Sequence, residues 1–222
     1  MIKINNKEVM EGYLLKFNIN DIFTEDMRPF MELMLFKKGE YICRDSEKLK
    51  YLFFFVDGKE MVYSILSNGK ALLLTFYEGF KVLGDLEMIN SEPATTNVQV
   101  IEDTYCIGIS VEKVKSHLLN DARFLRYICN SLGEKLNRCS KNSSINLLYP
   151  LENRLASYIL ATEDSFDESL TEISELLGTS YRHLLRTLNS MCKKGLIKKR
   201  DTGYKIMDRK ALIKLASDLY IN

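Results

Sequence analysis

The sequence has few of the residues on which metal centres and most catalytic sites depend. It contains only two histidines, His117 and His183, and no CxxC motif or Cys/His cluster. A metal-dependent barrel enzyme needs histidines and carboxylates that converge, and both histidines lie outside the segments predicted to form strands. The sequence also offers no recognisable pair of a nucleophile and a base. We therefore expect neither an enzyme nor a metal protein, and the cofactor, if there is one, stays unidentified.

Long apolar runs are also missing. No run approaches the roughly 18 residues of a membrane span, and the start of the chain has no apolar core followed by a small-residue cleavage site. The cysteines are odd in number and scattered, at Cys43, Cys106, Cys129, Cys139 and Cys192. This distribution predicts no disulfide framework, and most of these thiols are expected to be buried. Together, these absences predict a cytoplasmic protein with no membrane partner.

The chain has almost no net charge, yet its charges are segregated. The whole sequence of 222 residues, long enough for two modest domains, carries +1. Residues 151–178 carry a net −6, whereas residues 179–214 carry eleven Lys or Arg against two Asp, a net +9. A basic segment of this kind is typical of a nucleic-acid interface.

Two short helical patterns meet at a tight turn within this basic region. Ser169 and Glu172 have the spacing of a capping box for the first helix, and Gly178 is placed to end it. Thr179 or Ser180 can cap the second helix. The apolar positions of that helix are Leu184, Leu185, Leu188 and Met191. The pattern predicts a helix-turn-helix whose second helix enters the major groove of DNA.

The outer face of the second helix and a basic wing after it are the predicted DNA contacts. The candidate residues are Thr179, Ser180, Tyr181, Arg182, His183, Arg186, Lys198, Lys199 and Arg200. Two strand-like segments around residues 201–203 form the wing, and a last helix is expected over Arg209–Tyr220. Two alternatives stay open here. The pair could be an ordinary solvated helical hairpin, or the winged domain could mediate protein contacts.

The N-terminal half shows a different pattern. After short helices within residues 1–30, apolar segments separated by Gly and Asn turns run from residue 34 to about residue 110. Such spacing predicts a small antiparallel barrel or sandwich. Asn68-Gly69 marks one of its hairpins.

A long helical pattern follows residue 120 and carries a narrow apolar seam. The seam consists of Leu125, Ile128, Leu132, Leu136 and Cys139, at spacings of 3, 4, 4 and 3. A narrow seam predicts pairing with another helix, here the same helix of a second copy. Packing on the chain's own barrel is the alternative, and both can hold at once. Pro150 then begins a further helix, predicted over Leu151–Thr162.

In this order the segments resemble the Crp/Fnr family of bacterial transcription regulators, and YRHLL at 181–185 is similar to its YeiL-like branch. The matching segments are KKGEYI at 37–42, FFFVDGKEMVY at 53–63, SNGK at 67–70, EGF at 78–80, GDLEMI at 84–89 and LTEISELLGTSYRHLLRTLNSMCKKGLI at 170–197. The resemblance implies an α+β fold. A cyclic-nucleotide-binding-like β-barrel (double-stranded β-helix) would occupy residues 1–117, a dimerisation helix and hinge 118–146, and a winged helix-turn-helix 147–222. It also implies a homodimer on a palindromic operator in double-stranded DNA, in contact with RNA polymerase if it is an activator.

The resemblance further places a ligand pocket in the barrel. The pocket would consist of Gly84, Asp85, Leu86, Thr95, Thr96 and Ser140. Family members that bind cyclic AMP hold its phosphate with an Arg-Ser or Arg-Ala pair, whereas residues 92–97 contain no Arg. A phosphate needs a charge-assisted partner, and an unpaired Asp85 would repel it. Cyclic AMP is therefore not the expected ligand, and a redox signal through Cys139 is the alternative.

Overall fold

The chain forms two compact units. The computed structural model describes residues 1–67, 69, 71–161, 165–166, 169–201 and 203–216, with residues 165–166 described by their backbone alone. The first unit comprises Met1–Met61 and Tyr77–Arg138, and the second comprises Val62–Phe76 and Cys139–Asn222. A segment from the middle of the N-terminal half thus belongs to the C-terminal unit.

The strands of the N-terminal half pair into one sheet. They are β1 Ile2–Lys3, β2 Met31–Phe36, β3 Tyr41–Cys43, β4 Tyr51–Ile65, β5 Ala71–Glu78, β6 Lys81–Leu83 and β7 Asn97–Ser110. Their order is β1-β2-β7-β4-β5, with β3 added to β7 and β6 to β4. The predicted antiparallel β-domain is confirmed as one seven-stranded sheet, which is not closed into a barrel because the pairings of the described residues leave the two-residue strand β1 and strand β5 at its ends.

One face of this sheet carries the helices of the first unit. They are α1 Lys7–Lys16, α2 Asp85–Asn90, α3 Val111–His117 and α4 Ala122–Leu148, whose first part belongs to this unit. Leu52, Phe54 and Val56 alternate along β4 and pack in one core with Phe124 and Ile128 of α4. Both of those α4 residues are fully buried, and each large apolar side chain so buried contributes about 1.5–3 kcal/mol.

Asp121 fixes the start of α4. Its carboxylate accepts hydrogen bonds from the backbone N–H of Arg123 at 2.9 Å and from both the backbone and the hydroxyl of Thr24 at 2.7 Å. Burial on its own would raise the pKa of Asp121, but these hydrogen bonds outweigh it and lower that pKa. The N-terminal amides of the long helix are thereby satisfied by a charged acceptor.

The C-terminal part of the second unit is helical with a small sheet. It contains α5 Leu151–Ala161, β8 Ser165–Phe166, α6 Leu170–Leu176, α7 Tyr181–Lys193, β9 Ile197–Lys199, β10 Tyr204–Ile206 and α8 Arg209–Ala216. The wing predicted with two strands has three, in the order β8-β10-β9. Thr162 and the expected end of the last helix, residues 217–220, lie outside the described residues. None of the helices within the described ranges is long and apolar enough to span a membrane.

The segment Val62–Phe76 supplies part of the second unit's interior. The ring of Phe76 lies 5.8 Å from that of Tyr158, and both side chains are almost fully buried. The side-chain amide of Asn142 donates to the carbonyl of Leu74. At the turn of this hairpin Gly69 has φ +77, as the predicted Asn-Gly turn requires, while Asn68 lies outside the described residues.

Candidate nucleic-acid interface

Backbone hydrogen bonds fix the turn between α6 and α7. Gly178 has φ +58, a left-handed conformation that glycine adopts without penalty, and its N–H donates to the carbonyl of Glu175 at 2.9 Å. The N–H of Thr179 donates to the carbonyl of Ser174 at 2.9 Å. The predicted capping box at Ser169 is wrong, because that side chain makes no cap hydrogen bond.

The second helix of the motif, α7, begins as the sequence predicts. The hydroxyl of Ser180 accepts a hydrogen bond from the backbone N–H of His183 at 3.2 Å. The hydroxyl of Thr179 lies 3.2 Å from Nδ1 of the same histidine. The helix N-terminus carries a partial positive charge and unpaired amides, which suit a phosphate group.

The two faces of α7 are sharply different. Leu184, Leu188 and Met191 are fully buried, and Leu185 is half-buried. The exposed side chains are Tyr181, Arg182, His183, Arg186 and Asn189, together with Lys193 at the end of the helix. Their backbone is held by the buried face, so these polar side chains project from a rigid support.

The wing presents cations in a tight hairpin. Strands β9 and β10 pair with Lys198 opposite Lys205 and Lys199 opposite Tyr204, and the N–H of Arg200 donates to the carbonyl of Gly203 at 3.0 Å. Lys198, Lys199 and Arg200 are all exposed. Like charges directly opposite each other destabilise a strand pair, and a bound anion offsets that repulsion.

The motif is braced by two contacts, which sequence spacing could not reveal. Arg154 of α5 donates from Nη1 to the carbonyl of Leu177 at 2.7 Å. Lys194, just after α7, holds both carboxylate oxygens of Glu152, at 2.7 and 2.8 Å. A groove beside α7 is lined by Glu152 together with Ser180, His183 and Arg186. The start of α5 therefore forms one wall of the candidate interface.

The predicted ligand pocket is only partly assembled in the first unit. Gly84 and Asp85 are buried, whereas Leu86 and Thr95 are exposed and Thr96 is half-buried. Ser140 is exposed and belongs to the second unit, as does the exposed Cys139. The described residues contain no cluster of three or more His, Cys, Asp or Glu that could hold a metal ion.

Asp85 has a cationic partner, so the expectation that it is unpaired is wrong. Lys135 of α4 donates to Oδ1 of Asp85 at 2.6 Å, and the hydroxyl of Ser131 donates to Oδ2 at 3.3 Å. The same ammonium group donates to the carbonyl of Val82 at 2.9 Å. The partner lies 50 residues away in sequence, which explains why the local stretch around Asp85 did not show it.

The apolar seam of α4 faces two environments. Ile128 is fully buried in the core of its own unit, and Leu125 and Leu132 are half-buried against that core. Leu136 is 71% exposed, and Cys129 and Gly133, seven and three residues before it, are exposed as well. Leu125, Ile128 and Leu132 of the seam therefore hold the helix on the core of its own unit, while Leu136 forms an outward-facing stripe with Cys129 and Gly133.

Comparisons with known proteins agree with this geometry. Residues 33–121 match the family model of the cyclic nucleotide-binding domain, and residues 153–215 match that of the Crp-like helix-turn-helix domain. Regulatory protein YeiL of Escherichia coli O157:H7 is 34% identical over 201 residues, which are 90% of this chain and 92% of that protein. The CRP-like cAMP-activated global transcriptional regulator of Mycobacterium tuberculosis is 19% identical, over 82% of this chain and 86% of that one. The crystal structure of a Crp/Fnr-family regulator from Eubacterium rectale has a TM-score of 0.72 at 17% identity and covers 91% of this chain and 97% of its own.

Proposed function

The chain belongs to the Crp/Fnr family of transcription regulators, and we propose that it acts as a homodimer that binds a palindromic operator. As a member of this family with a DNA-binding helix-turn-helix, it is a regulator rather than an enzyme. The observation that carries the proposal is the second helix of the motif, with Tyr181, Arg182 and Arg186 exposed over a fully buried apolar face. We place the protein in the cytoplasm, where its DNA target is, in contact with RNA polymerase if it activates transcription.

A binding assay with operator DNA tests this function directly. An operator selected from random duplexes should bind far more tightly than unrelated DNA, and the affinity should fall steeply with salt as phosphate counterions are released. A domain that mediates protein contacts would show neither behaviour. The basic, exposed face of α7 and the wing cations favour DNA over that alternative.

Base recognition is assigned to Arg182 and Arg186. They are four residues apart on the exposed face of α7 and so lie along one line that can follow a groove. Arginine pairs in a bidentate manner with guanine O6 and N7. Tyr181, at the start of the helix, is placed to contact a thymine methyl group or a phosphate.

Replacing Arg186 should relax the sequence preference of the protein. The Arg186→Ala variant is expected to lose about 1–3 kcal/mol of affinity for the operator and to tolerate a base change at one position of each half-site. Competition binding with single-substitution operators measures this effect. Lys193→Ala, at the exposed end of the same helix, is the matched control and should keep the preference. An unchanged ratio of operator to random binding in Arg186→Ala would contradict the assignment.

The wing and the cap of α7 are assigned to the DNA backbone. Contacts from Ser180, Lys198, Lys199 and Arg200 would neutralise or bind phosphates and would carry no sequence information. Lys199→Gln should weaken operator and random DNA about equally and reduce the slope of log affinity against log salt by about 1. Lys48→Gln, an exposed lysine of the first unit, serves as control. A loss of discrimination at constant affinity would argue against this role.

Dimerisation is assigned to the outward stripe of α4. Leu136 is the large apolar side chain of the stripe, and around Gly133 no atom lies within 4 Å of an added Cβ, which leaves room for a second helix to approach closely. Two-fold pairing of α4 would set two recognition helices about one DNA turn apart, roughly 34 Å. That spacing requires a palindromic operator.

The sensory part is proposed to respond to a signal other than cyclic AMP. The Mycobacterium tuberculosis relative is described as activated by cyclic AMP. In this chain residues 92–97 supply no Arg, and Lys135 is already engaged by Asp85. Calorimetry with cyclic AMP at millimolar concentration should show no heat of specific binding.

A further inference from the structure

A carboxyl group in the first unit is buried without a partner. Glu60 of β4 has no exposed surface, and neither of its carboxyl oxygens has a hydrogen-bond partner within the described residues. Burial raises the pKa of Glu60 well above its usual range, and nearby Lys135 only partly opposes this. Buried polar atoms are nearly always hydrogen-bonded, so two unsatisfied oxygens on one side chain require an explanation.

Glu60 lies on the sheet face opposite the helix-bearing core. Tyr105 and Ile107 of β7 contribute to that core, so Cys106 between them points to the other face. Glu60 is an electrostatic neighbour of the Cys106 thiol and of Cys43 on β3, both of which are buried. The unpaired carboxyl group therefore belongs to the same face of the sheet as these two thiols.

Lys135 is the charged group that acts on Glu60 among the described residues, and it is already paired. It influences Glu60 but donates to Asp85 at 2.6 Å and to the carbonyl of Val82 at 2.9 Å. Within the described residues, neither oxygen of Glu60 therefore has a hydrogen-bond donor. A buried carboxyl group without a paired cation favours a bound cation over a bound anion.

We propose that this face of the first unit binds a small organic cation of the guanidinium or amidinium class, with Glu60 as its anchor. A planar cation with two adjacent N–H donors satisfies both carboxyl oxygens at once, as arginine does with carboxylates. On binding, the Glu60 carboxyl releases its proton to solvent and becomes the anionic partner. The proposal deepens the proposed function, since the cation would be the regulator's signal, but binding itself requires no DNA.

Calorimetry of the full chain with agmatine as the probe tests this site. We expect saturable binding that is weakened at least about tenfold in Glu60→Gln, which keeps the size of the side chain but cannot ionise. Glu92→Gln removes an exposed carboxyl group of the same unit and should leave the affinity unchanged. Because Glu60→Gln could perturb packing, its thermal unfolding is compared without probe. The proposal requires that agmatine raise the Tm of the unaltered protein and not that of the variant.

Proton release gives a second, independent readout. The free site is protonated and the occupied site is ionised, so agmatine affinity should rise with pH by up to about tenfold per unit below the raised pKa of Glu60. Binding enthalpy should also depend on the ionisation heat of the buffer. The other groups near this site are Lys135, Asp85, Glu87, Cys43 and Cys106, so the pH effect must vanish in Glu60→Gln to be assigned to Glu60.

Three results would overturn the proposal. They are an absence of heat with agmatine, equal affinity in Glu60→Gln, and tighter binding of cyclic AMP than of agmatine. None of these measurements contains DNA, so their failure leaves the operator-binding assignment intact. Conversely, loss of operator binding in the Arg186→Ala series leaves the cation site untouched.

Discussion

A protein carrying Leu136→Glu is expected to be monomeric and to bind its operator about 10²–10⁴-fold more weakly than the unaltered protein. Leu136 is 71% exposed, so a charge at this position costs little in the isolated chain. In a helix pair, the same charge would be buried opposite its symmetry copy without a partner. In a dimer, binding at one half-site raises the effective concentration of the second recognition helix at the other half-site. A monomer lacks this gain, which explains the size of the expected loss of affinity.

Sedimentation measures the oligomeric state of the variant, and titration with operator DNA measures its affinity. Asn137→Glu adds the same charge one residue further along the helix, at another exposed position, and should dimerise normally. A duplex that contains only one half-site engages only one recognition helix at a time. Its affinity per DNA-binding domain should therefore be about equal for the Leu136→Glu monomer and for the unaltered dimer. A dimer that survives Leu136→Glu would place the interface elsewhere. Substitution of Ile128 would not serve, because that residue is buried in its own unit.

The Lys135→Met substitution is expected to destabilise the first unit by about 3–5 kcal/mol, because it leaves a buried carboxylate without its charge partner. Asp85 has only 2% of its side chain exposed, and Lys135 donates to it and to the carbonyl of Val82. The loss should be visible as a shift of the urea midpoint without a change in slope. Lys115→Met, at an exposed position on α3, should have an effect within about 0.5 kcal/mol.

A double variant distinguishes loss of the pair from loss of packing. Asp85→Asn combined with Lys135→Met removes both charges and should recover most of the stability, since an uncharged pair carries no unpaired ion. If the double variant is as unstable as Lys135→Met alone, the ammonium group stabilises the unit through Val82 rather than through Asp85. Equal stability of Lys135→Met and the unaltered protein would mean that the carboxylate is not buried in solution.

The recognition helix could be predicted because its determinants are local. The cap at Ser180, the apolar positions Leu184 and Leu188 and the glycine after the first helix act within a few residues of one another. Local patterns of this kind survive any change in the rest of the fold. The braces could not be predicted, since Arg154 reaches the carbonyl of Leu177 only after the chain has folded.

Glu60 shows why the candidate ligand site was missed. Simple alternation along β4 would place the side chain of Glu60 on the same face as Leu52, Phe54 and Val56, which is the apolar core. Gly58, between Val56 and Glu60, has φ +106, and a Cβ added at Gly58 would lie 2.5 Å from the hydroxyl oxygen of Thr104. The close approach of β7 and this conformation change the alternation of the strand. No local sequence rule indicates on which side such an irregular strand will continue.

The hairpin segment Val62–Phe76 also limits how this protein can be recombined. Its residues belong to the compact unit that contains the helix-turn-helix, although more than 60 residues separate them from Cys139 in sequence. A chimera joined at residue 138 would inherit Tyr158 from one parent and its ring partner Phe76 from the other. A chimera of two relatives should therefore fold only when this hairpin and the DNA-binding part come from the same parent. The unit that must be exchanged as a whole is encoded by two separate stretches of the gene.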